Sequence, residues 1–479
     1  MLYDSQMRIT LLLVAALALV VFAPETTAAT QPNFIIINCD DLGYNDIGPF
    51  GSKKHRTPNL DRMAREGRKF TSHYSSCGVC TPSRASLMTG CYPRRINLHE
   101  NEVGGWVLFP GNKKGLNPTE ITIAEVLKGA GYATAIIGKW HLGDQPEFLP
   151  TRQGFDYYFG IPFSNDMGHD SRPKPYRYPP LPLLRMEQVI EEEPDQRQIT
   201  RRYTEEAIQW LRHTQEKKHP FLLYLPHTMP HWPQYSSKRF SGKSKNGKWG
   251  DTVEEIDWSV GELLRTLKEL KIDQNTLVLF TSDNGGATQH GASNLPLKGG
   301  KGSTFEGGQR VPLLVRWPGR IDPGTTSAEM TTMMDILPTV ADLAGARLDE
   351  DRRIDGRNIW SLMKSGSMAR TPHKAFYYYF KGELHALRSG DWKLRVKDRA
   401  PRRQNKNQAA PRQRFPQLFD LGRDLAESRN VAGEHPDVVA RLQSLLEIAR
   451  VDLGDGDREG ENTRPAGFKQ NAKTLTQND

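Results

Sequence analysis

The apolar residues of this chain fall into short runs separated by longer stretches with helical spacing. Residues 33–38, NFIIIN, form the first run, of strand length and with the continuous apolar centre of a strand covered on both faces. Residues 132–137, 221–225 and 277–280 repeat it. Between the runs, helices are predicted over 58–70 and over 120–130, where Gly131 closes the pattern. Others are predicted over 199–217, with Tyr203, Ala207, Trp210 and Leu211 on one face, over 253–270, with Ile256, Val260, Leu263, Leu264 and Leu267 in register, and over 330–344. Strands alternating with helices predict an α/β fold, a mainly parallel sheet sandwiched by helices. Ligands in such sheets gather beyond the carboxyl ends of the strands. All four runs release polar or ionisable residues there: Asp40 and Asp41, Lys139 and His141, His227 and His231, Asp283 and Asn284. One shared site follows from that pattern.

Past residue 344 the character changes. Residues 376–380, 386–395 and 418–421 predict short antiparallel strands, and 436–448 a helix. The chain is therefore divided into a leader at 1–29, a main α/β domain at 30–364, a smaller C-terminal α+β subdomain at 365–453 and a polar tail at 454–479 expected to be disordered. Residues 160–182, rich in Pro, Tyr and Gly, are expected to be a loop region at the site.

Composition narrows the class. With 479 residues and 37% hydrophobic content the chain can bury a large core. Met7-Arg8, the apolar run 9–22 and Thr27-Ala28-Ala29 have the three regions of a secretory signal peptide; an uncleaved anchor is the alternative. No later stretch approaches a membrane span, so the mature protein is expected to be exported without one. Four cysteines (Cys39, Cys77, Cys80, Cys91) are too few for a disulfide scaffold, and Cys77 is left either bonded to Cys91 or free. The one Asn-x-Thr, at Asn117, is excluded as a glycosylation site by Pro118. These features favour a bacterial periplasmic or secreted protein over a glycosylated lysosomal one. The net charge of +9 is conspicuous in residues 397–414, KDRAPRRQNKNQAAPRQR, read first as a solvated loop and second as long-range attraction for a polyanion. Nucleic acid is not expected as a partner, because the run lacks interleaved aromatics.

The organising stretch is residues 80–90, CTPSRASLMTG. Pro82 suits a first helical turn and Gly90 is a natural stop, so a short helix with Cys80 at its mouth is predicted. The free N–H groups of a helix N-terminus, with Arg84 one turn in, are expected to lower a thiol pKa there and to attract an oxyanion. A lone cysteine would read as a buried structural residue; here the whole string decides otherwise. Asp40, Asp41, Asp283 and Asn284 add three carboxylates and an amide oxygen, a hard-oxygen set suited to Ca²⁺ or Mg²⁺ and poor for zinc. Lys139 and His141, two apart, point to one side of an extended segment.

Cys-x-Pro-Ser-Arg-x-x-Leu-x-Thr-Gly at 80–90 resembles the signature of the type I sulfatases, and Gly131 to His141 resembles their second signature throughout. The resemblance runs from about 33 to 445 and is nearest the arylsulfatase A and N-acetylgalactosamine-6-sulfatase branch. It implies an alkaline-phosphatase-like fold and hydrolysis of sulfate monoesters, of aryl alcohols or of sulfated polysaccharide. It implies that Cys80 is oxidised by a formylglycine-generating or sulfatase-maturing enzyme, and that the formylglycine hydrate is the nucleophile, passing through a covalent sulfate hemiacetal. By the same resemblance Asp40, Asp41, Asp283 and Asn284, with the modified Cys80, hold Ca²⁺, with Mg²⁺ the alternative. Arg84, Lys139 and Lys301 offset the sulfate charge, His141 is the base, and His231 contacts the sulfate and helps protonate the leaving oxygen. Ser164 contacts the sulfate. His227 competes with His231 and Lys298 with Lys301; the His-Trp-Pro and Gly-Lys-Gly contexts select the second of each pair. The rivals are a phosphoester hydrolase on the same fold and a non-catalytic sulfoglycan-binding protein.

Overall fold

Asn33–Cys39 (β1), every residue of it buried, is the middle of the architecture, seen in a computed structural model that describes residues 31–169, 178–364, 369–398 and 414–476. The leader, residues 170–177 of the loop region, all but the ends of the basic run and the boundary drawn at 365 lie outside the described residues. The main sheet continues with Arg68–Tyr74 (β2). Past the two-residue strand Lys114–Gly115 (β3), which pairs elsewhere, come Ala133–Ile137 (β4), Tyr157–Gly160 (β5), Pro182–Arg185 (β6), Gln188–Glu192 (β7) and Phe221–Pro226 (β8). Thr276–Ser282 (β9), Arg310–Arg316 (β10), Thr325–Ser327 (β11) and Thr331–Thr332 (β12) complete it. Across the sheet the order is β11-β2-β10-β9-β1-β8-β4-β5-β6-β7, with β12 beside β2. The five central strands β9, β1, β8, β4 and β5 run parallel, so their carboxyl ends share one edge. Antiparallel β10 and β6 flank them.

Alternation along β1 explains why helices cover both faces. Phe34 and Ile36 enter one apolar layer with the helices Cys80–Thr89, Ile123–Gly129 and Ile336–Ala344. Ile35, Ile37 and Cys39 enter the other, with Pro58–Glu66, Ile199–Glu216 and Gly247–Glu269. Each buried Ile or Leu of these layers contributes about 1.5–3 kcal/mol on leaving water.

Three expectations need correction. The helix predicted over 58–70 stops at Glu66, and β2 begins at Arg68; its polar Ser72 and His73 are buried by pairing beside β10 and β12 rather than by apolar alternation. The helix predicted from 330 is preceded by β12 and a 3₁₀ turn and starts at Ile336. The tail expected to be disordered from 454 is ordered through 476. Gly454–Asp455 (β17) pairs with Arg458–Glu459 (β18), and Gly467–Phe468 (β19) pairs with β3.

Phe376–Phe380 (β13), Glu383–Ser389 (β14), Trp392–Arg395 (β15) and Gln417–Asp420 (β16) form the antiparallel C-terminal sheet, with the helix Pro436–Asp452 against it. Its core includes Tyr74, Tyr92, Met330 and Met334 from the earlier chain. All four cysteines are free. Among the described residues no helix is long and apolar enough to cross a membrane.

Candidate active site

The four strand ends meet. Asp40 and Asp41 leave β1, and Asp41 turns out of the strand with φ 67°. Gly138 turns the chain out of β4 at φ 137°, where a Cβ would lie 2.0 Å from the Pro226 carbonyl at the end of β8. Only glycine permits that approach, which lets the Lys139 N–H donate to Pro226 at 2.8 Å and aims the Lys139 side chain inward. Met229, three residues beyond β8, is tied back by its carbonyl, which accepts from the Asp40 N–H at 3.3 Å. The helix Cys80–Thr89 enters from one side with Cys80 as its first residue and ends on Gly90 in the left-handed conformation, as its sequence requires.

These side chains, all buried except Lys301, which is 20% exposed, form one charge network. The Cys80 thiol donates to Asp40 Oδ1 at 3.3 Å, and Lys139 Nζ donates to Asp40 Oδ2 at 2.6 Å and to Ser164 Oγ at 3.3 Å. Arg84 pairs with Asp283 at 2.8 Å and donates to the Lys139 carbonyl at 2.9 Å. Lys301 Nζ donates to Asp41 Oδ2 at 2.7 Å. Asn284 Nδ2 donates to Asp41 Oδ1 at 2.8 Å, and the Asp41 N–H to Asp283 Oδ1 at 3.1 Å. His231 lies 3.6 Å from Asp41 and 3.4 Å from Ser164 Oγ, with Nδ1 hydrogen-bonded to Asn165 at 3.0 Å. His141 Nε2 donates to the Leu108 carbonyl at 2.9 Å, leaving Nδ1 buried without a hydrogen-bond partner.

A cavity of about 360 Å³ opens over this network, lined by Cys80, His141, Ser164, His231 and Lys301 and walled by Val79, Gly105, Trp106, Val107, Phe109, Asp166 and Met167. The competitors stand elsewhere. His227 faces Ser259 at 3.3 Å, and Lys298 donates to the Glu427 carbonyl at 3.1 Å.

Electrostatics correct one expectation. Burial, reinforced by the Asp40 carboxylate, pushes the Cys80 thiol well above its ordinary value, and Lys139 and Lys301 do not reverse this. The helix mouth is therefore no thiolate site. Burial also acts against Asp40 ionising, but Lys139, His231, Arg84 and Lys301 outweigh it and hold that carboxyl well below the usual range. Burial and then Lys139 keep His141 far below the ordinary imidazole value; burial and then Lys301 lower His231. His141 is thus neutral at neutral pH, with a free lone pair on Nδ1.

Asp40, Asp41, Cys80 and His231 offer donor atoms within 4.8 Å of one another. Asp283 and Asn284, expected as ligands, join this group through Asp41. Asn284 Oδ1 is buried without a hydrogen-bond partner, an orphaned hard donor of the kind a divalent cation satisfies, so the oxygen set fits Ca²⁺ or Mg²⁺. Asn165, the Leu108 carbonyl and the aromatic wall were missed from the sequence. Asn165 could have been found as the neighbour of Ser164, whereas the stretch around Leu108 carries no periodic or motif signal.

Residues 32–346 match the family model described as Sulfatase, and 300–452 the one described as N-sulphoglucosamine sulphohydrolase, C-terminal. The chain is similar to N-acetylgalactosamine-6-sulfatase of Canis lupus familiaris, 34% identical over 491 residues that cover 94% of this chain and 93% of that one. It is similar to arylsulfatase A of Homo sapiens, 36% identical over 462 residues that cover 89% of each. The solved structure of Ps i-CgsB in complex with k-i-k-neocarrahexaose superposes with a TM-score of 0.76 at 32% identity, covering 87% of this chain and 92% of that one.

Proposed function

Because this chain belongs to the sulfatase family and is a sulfuric ester hydrolase of the alkaline-phosphatase-like fold, we propose that Cys80 acts as formylglycine beside a Ca²⁺ ion, on aryl sulfates or sulfated glycans. The observation that carries this reading is the state of Cys80. It sits at the focus of the charge network and lines the cavity, yet burial keeps its thiol protonated, so the unmodified residue is a poor nucleophile in the best-placed position. When present, the aldehyde hydrate supplies a hydroxyl nucleophile, and its second hydroxyl allows sulfate to leave by C–O cleavage. Asp40, Asp41, Asp283 and Asn284 would hold the cation, which adds positive charge beside a sulfate oxygen.

The remaining work falls to this chain's own side chains. A sulfate monoester carries one negative charge over three oxygens and repels a nucleophile until that charge is offset. Lys139, Lys301 and Arg84 are fixed by their carboxylate partners before substrate arrives, so little reorganisation is needed. Ser164 and His231, 3.4 Å apart, face the cavity together; they hold sulfate oxygens, and His231 passes a proton to the leaving alcohol. His141 takes the hydroxyl proton at Nδ1. The aromatic wall shapes the space beyond for the alcohol. The glycan arm of the reading is supported by the oligosaccharide bound in the Ps i-CgsB relative, and export to a bacterial periplasm or medium by the leader.

The test co-expresses the chain with a sulfatase-maturing enzyme, reads the mass of the Cys80 peptide and measures sulfate release from aryl sulfates and defined sulfated oligosaccharides. Activity should scale with the fraction of Cys80 converted to the aldehyde. Full activity with only unmodified thiol, or in Cys80→Ala, refutes the proposal.

A further inference from the structure

Residues 464–475 run along segments 111–120 and 144–148 and are bonded to both. Arg464 donates to both carboxylate oxygens of buried Glu120, at 2.9 and 3.0 Å. β19 pairs with β3, and the Lys469 N–H donates to the Lys113 carbonyl at 2.7 Å. Gln145, itself buried, clamps Lys473 at two points: Nε2 donates to the Lys473 carbonyl at 2.7 Å, and Oε1 accepts from its N–H at 2.9 Å. The same Nε2 donates to Asp144 Oδ1 at 2.9 Å, and Asp144 Oδ2 accepts the Gly111 N–H at 2.7 Å. Thr474 packs on Gly111 so closely that a Cβ there would sit 3.0 Å from its methyl group.

The other end of that loop enters the site. Phe109 N–H donates to Asn112 Oδ1 at 2.6 Å, and Leu108 N–H to Thr81 Oγ1 at 3.1 Å, one residue beyond Cys80. The Leu108 carbonyl accepts the His141 Nε2 proton. An imidazole that donates from Nε2 keeps its lone pair on Nδ1, so this one carbonyl decides which nitrogen can take a proton. Trp106, Val107 and Phe109 on either side of it wall the cavity.

We propose that residues 464–475, clamped by Gln145, form a positioning strap that holds the Leu108 carbonyl against His141 and so keeps that ring in one tautomer. Gln145 and Asp144 are positioning residues, acting through the loop at 105–112. The strap is held by side-chain and backbone hydrogen bonds together with Ala466 and Leu475 packed on the core, which explains how a polar segment is ordered. The inference rests on His141 being the base, and its test reads the ring itself, so the two can fail separately.

Ring nitrogen shifts of ¹⁵N-labelled full-length protein report the tautomer, with the His141 signals assigned by their loss in His141→Gln. The unaltered protein should show the Nε2–H form alone. Gln145→Ala should show both neutral tautomers and lower kcat on a small aryl sulfate by about 10-fold, the low end of the loss seen when the groups orienting a metal-ligating histidine are removed, with KM changed less than about 3-fold. Asp144→Asn, which leaves the Lys473 clamp intact, should move the same signals in the same direction. An unchanged His141 tautomer in both variants overturns the strap, as does a kcat that falls only with the fraction of folded protein. Full turnover by His141→Ala would instead remove the base assignment, whatever the tautomer spectra show.

Discussion

Replacing Lys393 by methionine isolates the device that joins the C-terminal sheet to the site. Lys393 is fully buried on β15, with its ammonium 2.9 Å from Glu306 and 2.9 Å from Glu427, and 3.9 Å from the centre of the Tyr378 ring. Glu306 is held below the usual carboxylate range although burial acts the other way, because Lys393, Arg310 and Arg388 outweigh it. Glu427 is pushed up, by burial first, since a single ammonium serves two carboxylates. Breaking a buried pair from one side costs about 3–5 kcal/mol, because the partner charge stays behind. For the unit of residues 32–479, unfolding entropy of roughly 2.1 cal/mol/K per residue amounts to about 0.9 kcal/mol per kelvin. A loss of about 4 kcal/mol therefore lowers Tm by about 4 °C. Urea unfolding and calorimetry measure both quantities. Lys393→Met combined with Glu427→Gln should recover at least about 1 kcal/mol, since a charge-free replacement is often neutral. The same cluster reaches the segment before and after Lys301. Glu427 accepts the Glu306 N–H at 2.7 Å and, through its carbonyl, Lys298 at 3.1 Å, bracketing the segment that bears Lys301. KM for an aryl sulfate should therefore rise about 3-fold to 10-fold at 25 °C in the single variant. A stability loss under 1 kcal/mol, or a double variant no better than the single one, refutes the reasoning.

Three further outcomes are expected. Chelation followed by dialysis should lower both activity and Tm, and Asn284→Leu, which removes the orphaned oxygen, should reduce the response of Tm to added Ca²⁺; no change on either count removes the metal assignment. Burial lowers His73 to about 4 and His227 to about 3, so the native state binds fewer protons than the unfolded chain; the stability present above about pH 6.5 is lost on acidification, by roughly 3 kcal/mol for each residue at pH 4, and a urea midpoint constant from pH 6.5 to 4 contradicts this. Trp106, packed over Gly302 beside Lys301, walls the cavity; if the alcohol occupies that space, Trp106→Ala should raise KM by about 10-fold with a smaller fall in kcat, and steady-state kinetics showing the reverse split places Trp106 outside the substrate's path.

What could be read from the sequence follows a physical divide. Four of the five central parallel strands were legible because covering both faces demands unbroken apolar runs, whereas the four-residue β5 was not; the strand-end rule then placed Asp40, Lys139, His231 and Asp283 together before any distance was known. β2 was not legible: RKFTSHY buries Arg68, Ser72 and His73 through cross-strand partners, a cause that leaves no period-2 pattern. The tail was invisible for the same reason, since Gln145 and Glu120, distant in sequence, order it. At Cys80 the helix end was read correctly, but the sign of the thiol shift depended on complete desolvation, which a local motif does not report.

Asp41 and His141 share one backbone peculiarity: each follows a parallel strand of the site and each sits at φ 67°, a conformation that costs a non-glycine residue about 1 kcal/mol. Glycine would relieve the strain at either position while deleting a carboxylate or an imidazole from the site. At Asp41, however, that change would also strand the Lys301 ammonium, and at His141 it would leave the Leu108 carbonyl without its donor, losses at least as large as the strain relieved; the two left-handed turns are thus held by the same side-chain partners that assemble the site, and neither offers a cheap route to a more heat-resistant protein.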